Sequence, residues 1–187
     1  MTNNMWHDIS PGGNIPSKIN VIVEIPKGSQ NKYEYDKTNN VIRLDRVLYS
    51  PLHYPGDYGL IPQTLSDDGD PLDALVLMTN PTYPGILIEA RPIALLRMED
   101  TQEVDDKILC VAINDPRYAS YKKVTDVEEH TLKEISHFFQ VYKELEGKKV
   151  VIVGWESDEE AKNIIRTAID CYKKTFSNQV KEPTRVE

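Results

Sequence analysis

Ile19-Asn20-Val21-Ile22-Val23-Glu24-Ile25 is the stretch on which the fold turns. Ile19, Val21, Val23 and Ile25 recur at every second position, the period of a strand with one buried face, and this spacing sets Glu24 on the other face. Outward from it the chain reads as further short strands broken by Pro, Gly and Asn. Lys32-Tyr33-Glu34-Tyr35 and Val41 to Leu44 flank a turn at Thr38-Asn39-Asn40. Leu75 to Leu77, Ile86 to Arg97, Lys107 to Ile113 and Val150 to Val153 complete the set. Several short strands at this spacing predict a small closed barrel, because closure removes exposed edges.

Two helices follow. Thr125-Asp126-Val127-Glu128 has the form of a capping box, and Leu132, Ile135, Phe138, Phe139, Tyr142 and Leu145 then recur at helical spacing up to Gly147. Ser157-Asp158-Glu159-Glu160 is a second box, before the stripe Ala161, Ile164, Ile165, Ala168, Ile169 and Tyr172. The predicted class is α+β: a small closed OB-like β-barrel of short, mainly antiparallel strands with two packed α-helices.

At 187 residues the chain reads as one domain, 1–187, with loosely ordered tails over about 1–17 and 177–187. Such a length buries roughly 70% of its unfolded surface, so neither a disulfide nor a structural metal is required for folding. The hydrophobic fraction of 40% and charged fraction of 28% exclude a disordered chain. A run of about 18 apolar residues is lacking, and the first residues have neither the basic start nor the apolar stretch of a signal peptide. The net charge of −8, from 22 basic and 30 acidic residues, argues against nucleic-acid and anionic-membrane partners. An anionic substrate stays possible if cations stand between it and the protein. Cys110 and Cys171 read as small buried side chains of a reducing compartment, the cytoplasm.

The chemistry concentrates in Asp67-Asp68-Gly69-Asp70-Pro71-Leu72-Asp73. Asp68, Asp70 and Asp73 are hard oxygen donors that repel one another unless cations neutralise them, which suits Mg²⁺ or Mn²⁺. A solvated acidic turn is the plain alternative. An EF-hand loop is excluded, since Gly and Glu are missing from its sixth and twelfth positions in either register. A second acidic group spans Glu99, Asp100, Glu103, Asp105 and Asp106, just before Lys107. Lys32, Arg46, Tyr54, Tyr58, Tyr142 and Lys143 supply cations and phenols suited to phosphate oxygens, with Glu34 on the strand face of Lys32, though each also fits a surface or packing role.

Together these segments resemble soluble inorganic pyrophosphatases of the Mg²⁺-dependent family with a barrel core, from about Ile19 to Lys174. Asp68-Gly69-Asp70-Pro71-Leu72-Asp73 matches the family signature Asp-x-Asp-Pro-x-Asp. Val23-Glu24-Ile25-Pro26, Lys32-Tyr33-Glu34, Asp45-Arg46, Tyr54-Pro55 to Tyr58-Gly59, Arg91-Pro92, Asp100 to Lys107, His137 to Phe139, Tyr142-Lys143 and Gly154-Trp155 match in family order. The resemblance implies hydrolysis of Mg-pyrophosphate to two orthophosphates, with several Mg²⁺ per site and Mn²⁺ or Zn²⁺ as possible substitutes. It implies Asp68, Asp73 and Asp105 as ligands of a first Mg²⁺, with Asp73 shared with a second. It implies Asp100 and Asp105 as ligands of an ion arriving with substrate, and Glu24 of a further one. It implies Asp70 as the group that takes the proton of the attacking water, which two metals would render acidic. The resemblance further implies that Lys32, Arg46, Lys107, Tyr58, Tyr142 and Lys143 grip the phosphates and that Glu34 and Tyr54 line the cavity. A cytoplasmic homohexamer is implied as well. Two departures bear on this: Thr101 stands where many bacterial relatives carry Glu, so Glu99 or Glu103 is the substitute ligand, and Val141 replaces a histidine of a subunit contact.

Overall fold

The computed structural model describes residues 4–176. In chain order they form β1 (Ile19–Ile25), β2 (Asn31–Asp36), β3 (Val41–Val47), β4 (Asp57–Leu60), β5 (Asp73–Leu77), β6 (Leu87–Asp100), β7 (Glu103–Val104), β8 (Lys107–Ala112), α1 (Glu129–Val141), β9 (Val150–Glu156) and α2 (Asp158–Phe176). The architecture is mainly sheet with two helices, as the periodicities predict. β1 pairs antiparallel with both β4 and β6, β4 antiparallel with β5, β5 parallel with β8, and β8 antiparallel with β6. The pairing thus returns to its starting strand. β7 and β9 add to β6, and β2 with β3 forms a separate antiparallel hairpin.

The alternation in β1 holds only part of the way. Ile19, Val21 and Val23 pack with Ala161, Ile165 and Ile169 of α2, whereas Ile25 joins Ile135, Phe138 and Phe139 of α1. A register shift between Val23 and Ile25 against β4 separates the two clusters, as an irregularity that re-aims a strand does. Gly59 of β4 sits at this close approach, where a Cβ would stand 1.9 Å from the Ile22 carbonyl oxygen. Ile22, on the other face, joins Trp6, Tyr35 and Tyr172 in a third cluster.

Four expectations need correcting. Asp57 to Leu60, read as part of a rigid turn, is the strand β4; the buried Asp57 carboxylate accepts N–H bonds from Lys27 at 2.8 Å and Thr82 at 2.9 Å. α1 begins at Glu129 and not at the Thr125 box, because the Asp126 carboxylate instead accepts the N–H groups of Lys122 and Lys123 and the Glu128 side chain caps nothing. Part of the N-terminal segment is packed and not loose: Trp6 is buried and its indole Nε1 donates to the Thr64 carbonyl at 2.8 Å. Cys171 is exposed on α2, while Cys110 is buried as expected. The tail 177–187 lies outside the described residues. At α2 the Ser157 hydroxyl accepts from Glu160 N–H at 3.3 Å, one half of the predicted box.

Candidate active site

β5 and β8 start side by side, because their parallel register sets Asp73 opposite Lys107. Ahead of β5 the chain reverses tightly. Ser66 N–H donates to the Asp70 carbonyl at 2.8 Å, Gly69 N–H to the Ser66 carbonyl at 3.1 Å, and Asp70 N–H to Asp68 Oδ1 at 2.9 Å. Gly69, at φ +84°, supplies the left-handed residue that this reversal needs. Asp68, Asp70 and Asp73 are thereby brought to one wall. On the other side, Thr101 and Gln102 have φ of +53° and +74°, as a primed two-residue hairpin turn between β6 and β7 requires. That turn brings Asp100 and Glu103 toward the same place.

Two adjoining hollows result. One, of about 220 Å³, is walled by Glu24, Lys32, Glu34, Lys37, Tyr58 and the three aspartates. The other, of about 260 Å³, adds Asp100, Thr101, Glu103, Asp105, Lys107, Tyr142 and Lys143. Lys32, Tyr58, Asp68, Asp70 and Asp73 belong to both, so they form one cleft.

Its charges are paired but unbalanced. Lys107 is buried and donates to Asp73 Oδ2 at 2.5 Å and to Asp105. Burial alone would lower its pKa; the two carboxylates instead hold the ammonium above the usual lysine range. Lys143 pairs with Asp100 and, against the effect of burial, keeps that carboxyl below its ordinary pKa. Lys32 pairs with Glu34 and approaches Asp45 at 3.8 Å, and Lys37 pairs with Asp70. Burial, with help from Asp70, Asp73 and Asp105, raises the Asp68 carboxyl. Glu24 is buried and accepts from Tyr35 N–H at 2.7 Å; burial and the neighbouring Asp73 push it up to about 8. Tyr58 and Tyr142 are raised by burial and so remain protonated donors at neutral pH.

In the larger hollow six carboxylates face three ammonium groups. This oxygen-rich, net negative donor set fits hard divalent cations. Among the described residues, however, no three His, Cys, Asp or Glu side chains are gathered closely enough to hold one ion. Lysine ammonium groups stand between the carboxylates instead.

Two residues expected at the site do not line the cleft. Arg46 binds Glu146 through Nε at 2.9 Å and Asp45 through Nη1, while its Nη2 is buried without a hydrogen-bond partner among the described residues. Tyr54 is 2% exposed and packs on Phe138 and Tyr58, with ring centroids 4.8 and 5.5 Å away. Of the two substitutes for a ligand at Thr101, Glu103 lines the cleft and Glu99 points outward, exposed; the Thr101 hydroxyl donates to Asp100 at 3.0 Å. Lys37 and Glu146 are not legible in the sequence: Lys37 is a charge in a turn and Glu146 one at the end of a single 3-10 turn, with neither period nor motif to single them out.

The chain matches the family model described as inorganic pyrophosphatase over residues 21–173. An inorganic pyrophosphatase of Picrophilus torridus is 48% identical over 169 residues, covering 90% of this chain and 96% of that protein. One from Haloferax volcanii is 50% identical over 175 residues, covering 93% and 99%. The crystal structure of the Thermus thermophilus inorganic pyrophosphatase superposes with a TM-score of 0.89 at 43% identity, covering 91% of this chain and 99% of that one.

Proposed function

This chain belongs to the inorganic pyrophosphatase family, and from that premise we propose that it hydrolyses pyrophosphate to two orthophosphates with Asp70 as the general base. The observation that carries the reading is the convergence of Asp68, Asp70 and Asp73 with Asp100, Asp105, Lys32, Lys107, Lys143, Tyr58 and Tyr142 on one cleft. The ring of strand pairings supports an OB-like closed barrel as the scaffold that holds them.

The cofactor of this reading is Mg²⁺, with Mn²⁺ or Zn²⁺ as substitutes. Asp68, Asp73 and Asp105 would hold the first ion only by drawing together in place of the Lys107 ammonium that now stands between Asp73 and Asp105, Asp73 would also serve a second, Asp100 with Asp105 one that enters with substrate, and Glu24 a further one. When bound, such ions neutralise phosphate charge and lower the pKa of water. Asp70 sits apart from the Lys107 pairing that engages Asp73 and Asp105, and its carboxylate is half open to solvent, which suits a group that accepts a proton from water. Lys32, Lys107 and Lys143 bind phosphate oxygens as cations, and the Tyr58 and Tyr142 hydroxyls donate to them without adding charge. Each of these ammonium groups is now paired with a carboxylate of the cleft, so carboxylates engaged by cations would free the lysines for phosphate. Arg46 lies outside the cleft lining with Nη2 buried and left unused by Asp45 and Glu146, so it would serve a phosphate only by turning that donor into the cleft. Glu34 orients Lys32, and Tyr54 supports the Tyr58 ring.

The same reading carries a cytoplasmic homohexamer. Exposed Leu44, Val47, Val151 and Val153 supply apolar surface for such an assembly, and no helix among the described residues is long and apolar enough to cross a membrane.

Phosphate release from pyrophosphate with Mg²⁺, with an EDTA control and ATP as a parallel substrate, tests the function. Release from pyrophosphate that EDTA abolishes supports it; none from folded, Mg²⁺-loaded protein overturns it. Asp70→Asn tests the base: it should fold normally and lose about 10²–10⁴-fold in kcat, and undiminished turnover would remove the role.

A further inference from the structure

Among the described residues the Asp70 carboxylate has one side-chain partner, Lys37, and that lysine reaches it from another part of the fold. The turn between β2 and β3 carries Lys37 and is itself fastened. Asp36 Oδ1 accepts the N–H groups of Thr38 and Asn39, each at 2.9 Å, and Asn39 Nδ2 donates to Asp36 Oδ2 at 2.8 Å. Tyr35 OH donates to Asn40 Oδ1 at 2.7 Å. From this turn the Lys37 ammonium spans to Asp70 and to the Gly69 carbonyl at 3.3 Å. It also stands over the Trp6 ring, 5.0 Å from the centroid, within the range of a cation–π contact.

Trp6 is fixed in turn. It is buried, and its Nε1 donates to the carbonyl of Thr64, at the base of the Asp-rich loop. The Thr64 hydroxyl accepts from Leu72 N–H at 2.8 Å, where the loop ends. The indole is therefore bonded to the start of the loop, which Thr64 ties to its end, while the lysine on the indole's face holds the loop's middle. The backbone of Asp70 is set by the Ser66 and Asp68 bonds, but its carboxylate, 56% exposed, is set by Lys37.

We propose that Lys37 is a positioning residue that aims the Asp70 carboxylate into the cleft, with Trp6 as the platform that fixes the ammonium. The inference rests on Asp70 being the base. An exposed ion pair adds little to stability, so its consequence is orientation. A rotated carboxylate no longer meets the water it must deprotonate, and such misplacement reaches kcat more than substrate binding.

The experiment compares Lys37→Met, which keeps an apolar stem against Trp6, with Lys37→Arg, which keeps the cation. Steady-state kinetics with Mg-pyrophosphate are measured alongside thermal melts. Emission of Trp6 is read in a Trp155→Phe background, where it is the chain's remaining indole. Lys37→Met is expected to lose about ten- to a hundredfold in kcat, with KM changed by less than about threefold and an unchanged melting temperature. Its Trp6 emission should shift, and Lys37→Arg should recover most of both properties. Lys37→Met should also cost nothing further in an Asp70→Asn background. A kcat within about twofold of the parent, or an equal loss in Lys37→Arg, would overturn the inference. If Asp70→Asn is inactive while Lys37→Met is fully active, the inference alone fails; if Asp70→Asn keeps its turnover, the assignment of Asp70 fails first.

Discussion

The Lys107 ammonium stands 2.5 Å from Asp73 Oδ2, two side chains that open neighbouring parallel strands. The same ammonium binds Asp105, and at 3% exposure it has almost no access to water. Lys107→Met would leave two carboxylates facing each other without their counter-charge. Breaking a buried pair costs about 3–5 kcal/mol, and the low end applies because the carboxylates keep some contact with water. The loss should be larger in EDTA than in Mg²⁺, since cations can neutralise the same carboxylates. Denaturant melts in both buffers check this; equal losses would mean that Asp73 and Asp105 take no cation.

A second prediction concerns the meeting of β1 and β4. An added methyl at Gly59 would stand 1.9 Å from the Ile22 carbonyl oxygen and 2.9 Å from Val23 Cα, both backbone atoms that no rotamer change can move. Gly59→Ala should therefore cost more than the ~1–3 kcal/mol of ordinary overpacking and prevent soluble folding or lower the melting temperature sharply. Gly69→Ala offers a contrast. Nothing crowds its Cβ, so only its φ of +84° opposes the change, and the expected cost is about 1–2 kcal/mol. Parallel melts decide between these outcomes.

These two strands also show what could be read from the chain. Period two is visible in Ile19 to Ile25 because one residue type recurs, and Glu24 stands out against it. β4 was illegible, because Asp57-Tyr58-Gly59-Leu60 combines a buried charge with a glycine and follows a Pro-Gly pair. Tertiary bonds to Lys27 and Thr82 satisfy Asp57, and no local pattern announces them. The same limit applies to the cleft. Asp68, Asp70 and Asp73 lie in one short segment and are legible together. Lys37 enters the cleft through a partner 33 residues away in sequence, and Glu146 meets Arg46 outside it across 100 residues. Trp6 was missed for a related reason, since a single aromatic in a polar segment carries no period.

A third prediction lies at the β6–β7 turn. Thr101 is β-branched yet adopts φ +53°, a region that its side chain opposes and that asparagine tolerates better. Thr101→Asn should stabilise the protein by about 1 kcal/mol, raising the melting temperature by roughly 2–4 °C. Its side chain keeps a polar group beside Asp100, so the hydrogen bond of the Thr101 hydroxyl need not be lost. A lower melting temperature would mean that the hydroxyl bond outweighs the backbone strain.

The N-terminal packing carries a pH dependence of its own. His7 Nδ1 lies 2.6 Å from Tyr172 OH and its ring stacks on Trp6, with centroids 4.6 Å apart. Burial lowers its pKa; Lys37 acts in the same direction and Asp8 against it. A histidine depressed in the folded state binds its proton more readily when unfolded. Its contribution to stability is therefore complete above the unfolded value of about 6.5 and lost as pH falls through the folded one. Melts of the wild type and of His7→Gln between about pH 7.5 and 5 isolate this effect, because every other titrating group is common to both. The wild type should lose more stability on acidification than the variant does. Parallel pH profiles would mean that His7 takes up its proton in the folded protein without penalty, and that the Trp6, His7 and Tyr172 rings hold together regardless of its charge.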